Sequence, residues 1–343
     1  MKKNFLQILA LILLFVSCST EDKPDEVSEK PEEPEVVIED NFNYLALRAD
    51  GNLYEIGNKT GKVSRVGSIS QMQGNLNMIP SAVTASAEKI FIYEQLFDPF
   101  QGRILVRDKA TGLVSIFVLD FPAEIYGENA GLNSLDWDSK NGKLVGIVRD
   151  EFEFNNNNTS RVVRIDPETM VLEYGEISFN YSTTFSSSLL NNKLYALSSN
   201  TGSLDRSKLL EIDLITKTVS PLEVSGNNAI IGNLSNNGAS NFLFGFTPVI
   251  GSTYMGEMQA FKLNLSTNEF ENLPELSRFS AHHIARKSFY NEDSNEFAEL
   301  ILKENKDQIL LYNDQTNKIE ILELSGSYDF DTSTIIIDVR EVD

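Results

Sequence analysis

The stretch LLEIDLITKTV, Leu209 to Val219, reads as two strands joined by a short reversal. An apolar run reaches Asp213, Thr216 follows three residues later, and Val219 comes three after that. Leu210, Ile212 and Leu214 alternate with Glu211 and Asp213, which is the period of a strand. An Asp or Asn closing a strand accepts hydrogen bonds from backbone groups a few residues on and so starts a turn. The stretch is therefore an antiparallel hairpin. Five others share its grammar: LYEIGNKTGKV (Leu53 to Val63), ILVRDKATGLV (Ile104 to Val114), VVRIDPETMVL (Val162 to Leu172), AFKLNLSTNEF (Ala260 to Phe270) and LLYNDQTNKI (Leu310 to Ile319). Their threonines, Thr60, Thr111, Thr169, Thr216, Thr267 and Thr316, lie 47 to 58 residues apart. Three positions before them stand Gly57, Asp108, Asp166, Asp213, Asn264 and Asn313, and three after them Val63, Val114, Leu172, Val219, Phe270 and Ile319.

A single hairpin is marginal in water, so hairpins repeating at this period must bury their faces against one another. The expectation is an all-β fold, a six-bladed β-propeller of four-stranded blades, with each motif supplying the outer two strands. The inner strands then lie upstream of each motif, as in LNSLDWDS (Leu132 to Ser139) and KLVGIVRD (Lys143 to Asp150), or STTFSSSLL (Ser182 to Leu190) and KLYALSSN (Lys193 to Asn200). The first blade lacks an innermost strand, since only YLALRADG (Tyr44 to Gly51) precedes its motif. At the other end TSTIIIDVREV (Thr332 to Val342) is a strand without a blade. Joining the two closes the ring and removes the sheet edges that invite aggregation. SNEFAELILKENK (Ser294 to Lys306) is rich in helix formers, but it falls where the sixth blade needs a strand, and the repeat register decides for strand. The loops Asp150 to Ser160 and Thr247 to Glu257 are the longest insertions and the expected seat of binding specificity.

The beginning of the chain has a different character. Lys2 and Lys3 precede an apolar run, Phe5 to Val16, that is too short to span a bilayer, and the single cysteine, Cys18, follows directly. This resembles the signal and lipobox of bacterial lipoproteins, with Phe15 where Leu is usual; the resemblance implies acylation of Cys18 and anchoring of the mature chain to a membrane. The acidic run after it resembles the surface-export signal of Bacteroidota lipoproteins. Residues 1–17 are thus read as a signal peptide, 18–42 as the lipidated cysteine and an acidic tether, and 43–343 as the propeller. The tether is expected to stay unfolded, because its acids and prolines offer too little apolar surface to offset the entropy of ordering. The net charge is −21, and residues 21–40 alone carry ten acids against two bases. That sign opposes binding to a phosphate backbone, so nucleic acid is not an expected partner.

Chemical signatures are sparse. GNKTGK (Gly57 to Lys62) has neither the spacing nor the final Ser or Thr of a phosphate loop, and DWDSKNG (Asp136 to Gly142) lacks the late Glu of a calcium loop. No GxSxG, HExxH or CxxC occurs. The two histidines, His282 and His283, are adjacent on the expected inner strand of the sixth blade, where alternation sends one toward the axis. With Asp136, Asn233 and Asp338 from other inner strands they are the candidate axial ligand-binding residues. A divalent cation is the cofactor such a set could hold. Trp137, the only tryptophan, is expected to pack between blades.

The six turns of the form hydrophobic-[Asp/Asn]-x-x-Thr resemble those of six-bladed propellers of the TolB-like, NHL-like and gluconolactonase-like group, and the likeness covers nearly all of residues 43–343. In the gluconolactonase-like members a Glu, an Asn and an Asp around the axis hold a divalent metal, and the Glu has no counterpart here. The expected role is a surface-exposed outer-membrane lipoprotein whose propeller binds a polymer, such as a glycan, or a protein partner. The alternative is a metal-dependent hydrolase or lactonase working in the axial pocket.

Overall fold

All six hairpins form. The computed structural model describes residues 38–74, 77–149, 159–181, 183–199, 208–224, 232–249, 256–280 and 286–342. In chain order β1 (Phe42–Leu47), β2 (Asn52–Gly57) and β3 (Lys62–Ser68) belong to the first blade. The second blade is β4 (Met78–Ala85), β5 (Lys89–Phe97), β6 (Phe100–Asp108) and β7 (Val114–Val118), and the third is β8 (Gly131–Asp138), β9 (Lys143–Arg149), β10 (Ser160–Ile165) and β11 (Leu172–Phe179). The fourth is β12 (Thr183–Leu190), β13 (Lys193–Ser199), β14 (Lys208–Asp213) and β15 (Thr218–Pro221); the fifth is β16 (Gly232–Ser235), β17 (Phe242–Pro248), β18 (Glu257–Asn264) and β19 (Glu269–Asn272). After a short connecting strand β20 (Arg278–Ser280) come β21 (Phe289–Asn291), β22 (Glu296–Lys303), β23 (Lys306–Asn313) and β24 (Lys318–Glu323) of the sixth. The chain ends with β25 (Ser325–Gly326) and β26 (Ile335–Glu341). SNEFAELILKENK is a strand, as its register requires, with every residue from Glu296 to Lys303 paired to β23.

The ring closes as expected from the unpaired ends. β26 runs antiparallel to β1, with Tyr44 opposite Val339 and Leu47 opposite Ile335, and so becomes the innermost strand of the first blade. Around the axis β26 neighbours β4, β4 neighbours β8, β8 neighbours β12 and β12 neighbours β16. A parallel bridge from Asn233 to Lys287 and contact between β21 and β26 complete the circle. The six blades are five hydrogen-bonded sheets, because β20 pairs with both β18 and β22 and merges the fifth and sixth blades. The cause is Phe279, which anchors β20 by inserting edge-on against Phe246 in the core between those blades.

Alternation along each strand distributes the core. Leu45, Leu47 and Leu53 point toward the second blade and meet Ile90, Ile92 and Leu105. Tyr44, Ala46, Tyr54 and Ile56, on the opposite face of the same strands, meet Leu300, Ile309 and Leu311 of the sixth. The same division recurs at every junction, giving six apolar clusters for six contacts between neighbouring blades. A ring held this way is closed by packing between sheets, with no sheet wrapping around on itself. Trp137 is placed as expected, stacked on Phe91 of the preceding blade at 5.9 Å and 15°.

The turns show why the motif repeats. Asp108 accepts from the N–H and hydroxyl of Thr111, both at 2.7 Å, and the same pair of bonds joins Asp166 to Thr169 and Asn313 to Thr316. The residue after each threonine then takes a left-handed conformation: Gly61, Gly112, Met170, Lys217, Asn268 and Asn317 have φ between 54° and 71°. This geometry returns the outgoing strand alongside the incoming one.

Candidate functional site: the axial mouth

Six inner strands crowd a propeller axis, which favours small side chains there, and the sequence supplies them. Ser187 and Ser188 of β12, Ser235 of β16, Ser288 before β21 and Thr84 of β4 line a pocket of about 280 Å³ centred on the axis, with Asn236, Asn237 and the edge of Trp137. Every blade contributes, the first through Ile335 to Ile337 of β26.

One ion pair crosses this pocket. Lys287 Nζ donates to Asp136 Oδ1 at 2.7 Å and also to the backbone oxygen of Leu135. Lys287 leads into the inner strand of the sixth blade and Asp136 lies on that of the third, so the bond spans opposite sides of the ring. The hydroxyl of Ser187 donates to the other carboxylate oxygen. Both oxygens of Asp136 are therefore engaged from within the protein. The two side chains are 15% and 9% exposed, and the loss of water pushes the lysine ammonium below its usual range while the Asp136 carboxylate pulls it back.

Beside this pair the axis is filled. Ser186 accepts from the Leu234 N–H at 2.9 Å and donates to the backbone oxygen of Arg286 at 2.8 Å, tying three blades together. Arg286, fully buried, pairs with Glu299 at 2.6 Å and donates to the carbonyls of Leu300 and Thr334. Ser288 donates to the second oxygen of Glu299 at 2.9 Å. Burial pushes the Glu299 carboxyl up and the Arg286 guanidinium down, each against the attraction of its partner.

The residues singled out in the sequence fall in different places. Asp136 lines the pocket. Asn233 is on an inner strand but 2% exposed; its backbone oxygen accepts from Ser288 and its side chain helps hold Glu299. Asp338 is on β26, yet its carboxylate turns away to Lys109 in the outer turn of the second blade, at 2.7 Å. His282, His283 and Cys18, with most of the two long loops, lie outside the described residues. Among the described residues no three His, Cys, Asp or Glu side chains come together as a metal site, and Asp136 already neutralises an ammonium. The described residues therefore do not form a divalent-cation site. Sequence reasoning missed Lys287 and the serines. Serine carries no periodic signal, and Lys287 stands before its strand with no motif of its own.

No protein-family model matches the chain, and no curated protein matches it in sequence. Solved structures do match in shape. TolB from Acinetobacter baumannii superposes with a TM-score of 0.56 at 13% identity over 86% of this chain. The fold is that of a TolB-like β-propeller. This chain spans 65% of that TolB's length. A putative TolB from Agrobacterium tumefaciens gives 0.48 at 11% identity, covering 88% of this chain and 99% of its own. A putative 6-phosphogluconolactonase from Bacteroides uniformis gives 0.47 at 11% identity, covering 88% of this chain and all of its own. Among the described residues no helix is long and apolar enough to cross a membrane.

Proposed function

We propose that the chain is a lipoprotein anchored through Cys18 and displayed at the outer-membrane surface, whose propeller holds a neutral, hydroxyl-rich ligand, such as one residue of a glycan chain, at the axial mouth. The observation that carries this is the pairing of Lys287 with Asp136 and Ser187, which consumes the buried charge and leaves hydroxyl, amide and apolar groups in the lining, with the exposed Glu292 as its remaining carboxylate. Such groups exchange hydrogen bonds with sugar hydroxyls, and Trp137, Phe289 and Tyr290 offer aromatic surface for the apolar face of a ring. At about 280 Å³ the pocket is at the small end for ligand sites, which suits one unit of a polymer better than a bulky molecule.

The binding test is an array of neutral and acidic glycans probed with the full chain in detergent. Retention of neutral glycans, weakened about tenfold in Ser188→Ala and Asn236→Ala, is the expected result. Absence of any glycan binding together with metal-dependent hydrolysis of a lactone would discard the reading. Anchoring is tested separately. Labelled palmitate should enter the wild-type chain but not Cys18→Ala, and protease added to intact cells should remove the propeller.

A further inference from the structure

The junction of the first two blades leaves one guanidinium without a direct partner. Arg107 of β6, Lys109 of the following turn, and Asp338 and Arg340 of β26 meet Glu55 of β2 at one end of the apolar cluster between these blades. Lys109 takes Asp338 at 2.7 Å and Arg340 takes Glu55 at 3.0 Å. Arg107 is left over. It is 7% exposed, makes no ion pair or hydrogen bond among the described residues, and its Nη1 is sealed from water without a partner. Asp108 is the adjacent carboxylate; its Oδ1 accepts from Thr111, and its charge attracts Arg107 without a direct bond between them.

The guanidinium is not enclosed on all sides. With Arg340, Ser68, Ser70 and Gln71 it lines a groove of about 340 Å³, whose remaining wall includes Val66 and Leu113. Gly112 keeps this space open: at φ 71° a side chain is disfavoured, and a Cβ there would come within 3.2 Å of Arg107 Nη2. A buried guanidinium without an acceptor is costly, and in a chain of net charge −21 the scarcity of acceptors is not the reason it lacks one. Burial and then the Arg340 charge disfavour the protonated form of Arg107, against the attraction of Asp338 and Asp108, neither of which bonds to it directly.

We propose that this groove is an anion site, in which Arg107 with Arg340 binds a carboxylate, sulfate or phosphate oxyanion supplied by a ligand. A guanidinium offers parallel N–H donors that match two oxygens of such a group. The site is separate from the axial mouth and does not depend on the function assigned there.

The test is thermal unfolding of the full chain titrated with sodium acetate, sulfate or phosphate, each against sodium chloride at equal ionic strength. At least one oxyanion should raise the midpoint saturably beyond chloride: acetate if the natural group is planar, sulfate or phosphate if it is tetrahedral. Arg107→Met should abolish the rise, and in anion-free buffer it should melt about 1–3 °C higher than wild type, because it deletes an uncompensated charge. Arg340→Gln should fold normally and weaken binding about tenfold. A response no larger than that of chloride, a response retained in Arg107→Met, or a lower anion-free midpoint in Arg107→Met overturns the proposal, the last by making Arg107 a packing residue.

Discussion

Asp40 closes the first blade's outer turn around Thr60. Its Oδ1 accepts from the N–H groups of Lys59 and Thr60 at 2.7 and 2.9 Å, and its Oδ2 from the Thr60 hydroxyl at 2.6 Å. In the other five blades this acceptor stands three residues before the threonine. In the first blade that position is Gly57, and a Cβ placed there would lie 2.2 Å from Asp40 Oδ2. The missing side chain is what lets a residue from outside the motif do its work.

Asp40→Ala should therefore lower stability by about 1–2 kcal/mol, the usual cost of losing a side-chain acceptor that holds backbone donors. Gly57→Asp alone should also destabilise, because its Cβ meets both Asp40 Oδ2 and the Thr60 hydroxyl, which can turn aside only once Asp40 no longer holds it. Together the two changes should restore most of the loss, since they rebuild the arrangement of the other blades. Urea unfolding of the three variants decides it; a double variant no better than either single would refute the substitution of one acceptor for the other.

The same bonds set the acid response. Burial alone would raise the Asp40 carboxyl, but the bonds from Thr60 and Lys59 outweigh it and hold it below 3.8. Asp108, bonded to the Thr111 N–H, Asp166, bonded to Lys143, and Asp213, bonded to the Thr216 N–H, are lowered too. A depressed carboxyl contributes stability that is complete above its unfolded value and is lost as pH falls through its folded value. The unfolding midpoint in urea should thus fall as pH drops below about 4, and Asp40→Ala should lose less over that range than wild type. Parallel curves for the two proteins would remove Asp40 from the account.

Arg286 and Glu299 lie beside the axis, away from these turns, and obey a different rule. Both are almost fully buried, so removing one partner strands a charge. Glu299→Gln should cost about 3–5 kcal/mol, whereas Arg286→Met with Glu299→Leu should cost distinctly less. If the double variant is as unstable as the single, the pair's value lies in its bonds to Leu300, Thr334 and Ser288 and not in mutual charge neutralisation. Near-ultraviolet circular dichroism with calorimetry separates these outcomes, because it also shows whether the packed core survives.

What the sequence revealed about this fold was whatever repeats locally. The turn motif is written within seven residues, so six copies announce six blades, and a first blade short of one strand with a spare strand at the other end announces the closure. Asp40 was not legible because it acts across 20 residues and sits in a run of acids whose composition argues for disorder. β20 escaped because three residues are too few for a period. At the axis Asp136 was readable from its place on an inner strand, but its partner Lys287 is 151 residues away and no local pattern joins them. Asp338 illustrates the opposite failure: its position suited the axis, and a lysine from the next blade drew it aside.

A clasp outside the repeat lies beside the strand that closes the ring. Between β25 and β26 the chain crosses the first blade, where Arg48 pairs with Asp331 at 2.9 Å and with Asp329, and Tyr54 donates to Asp329 while meeting Phe330 edge-on at 5.1 Å. Thr334, at the end of this crossing, gives its carbonyl to Arg286. The clasp thus ties the periphery of the blade to the axis immediately before β26 enters. Arg48→Ala should lower stability by about 1–2 kcal/mol, and the loss should shrink at high salt, where the wild-type ion pairs are screened. Hydrogen exchange is the sharper measurement. If the clasp holds β26 in place, amides from Ile335 to Val339 should lose protection in Arg48→Ala well before those of β13 in the fourth blade. Uniform loss around the ring would mean that closure is governed by the packing between blades, with Arg48 adding only to global stability.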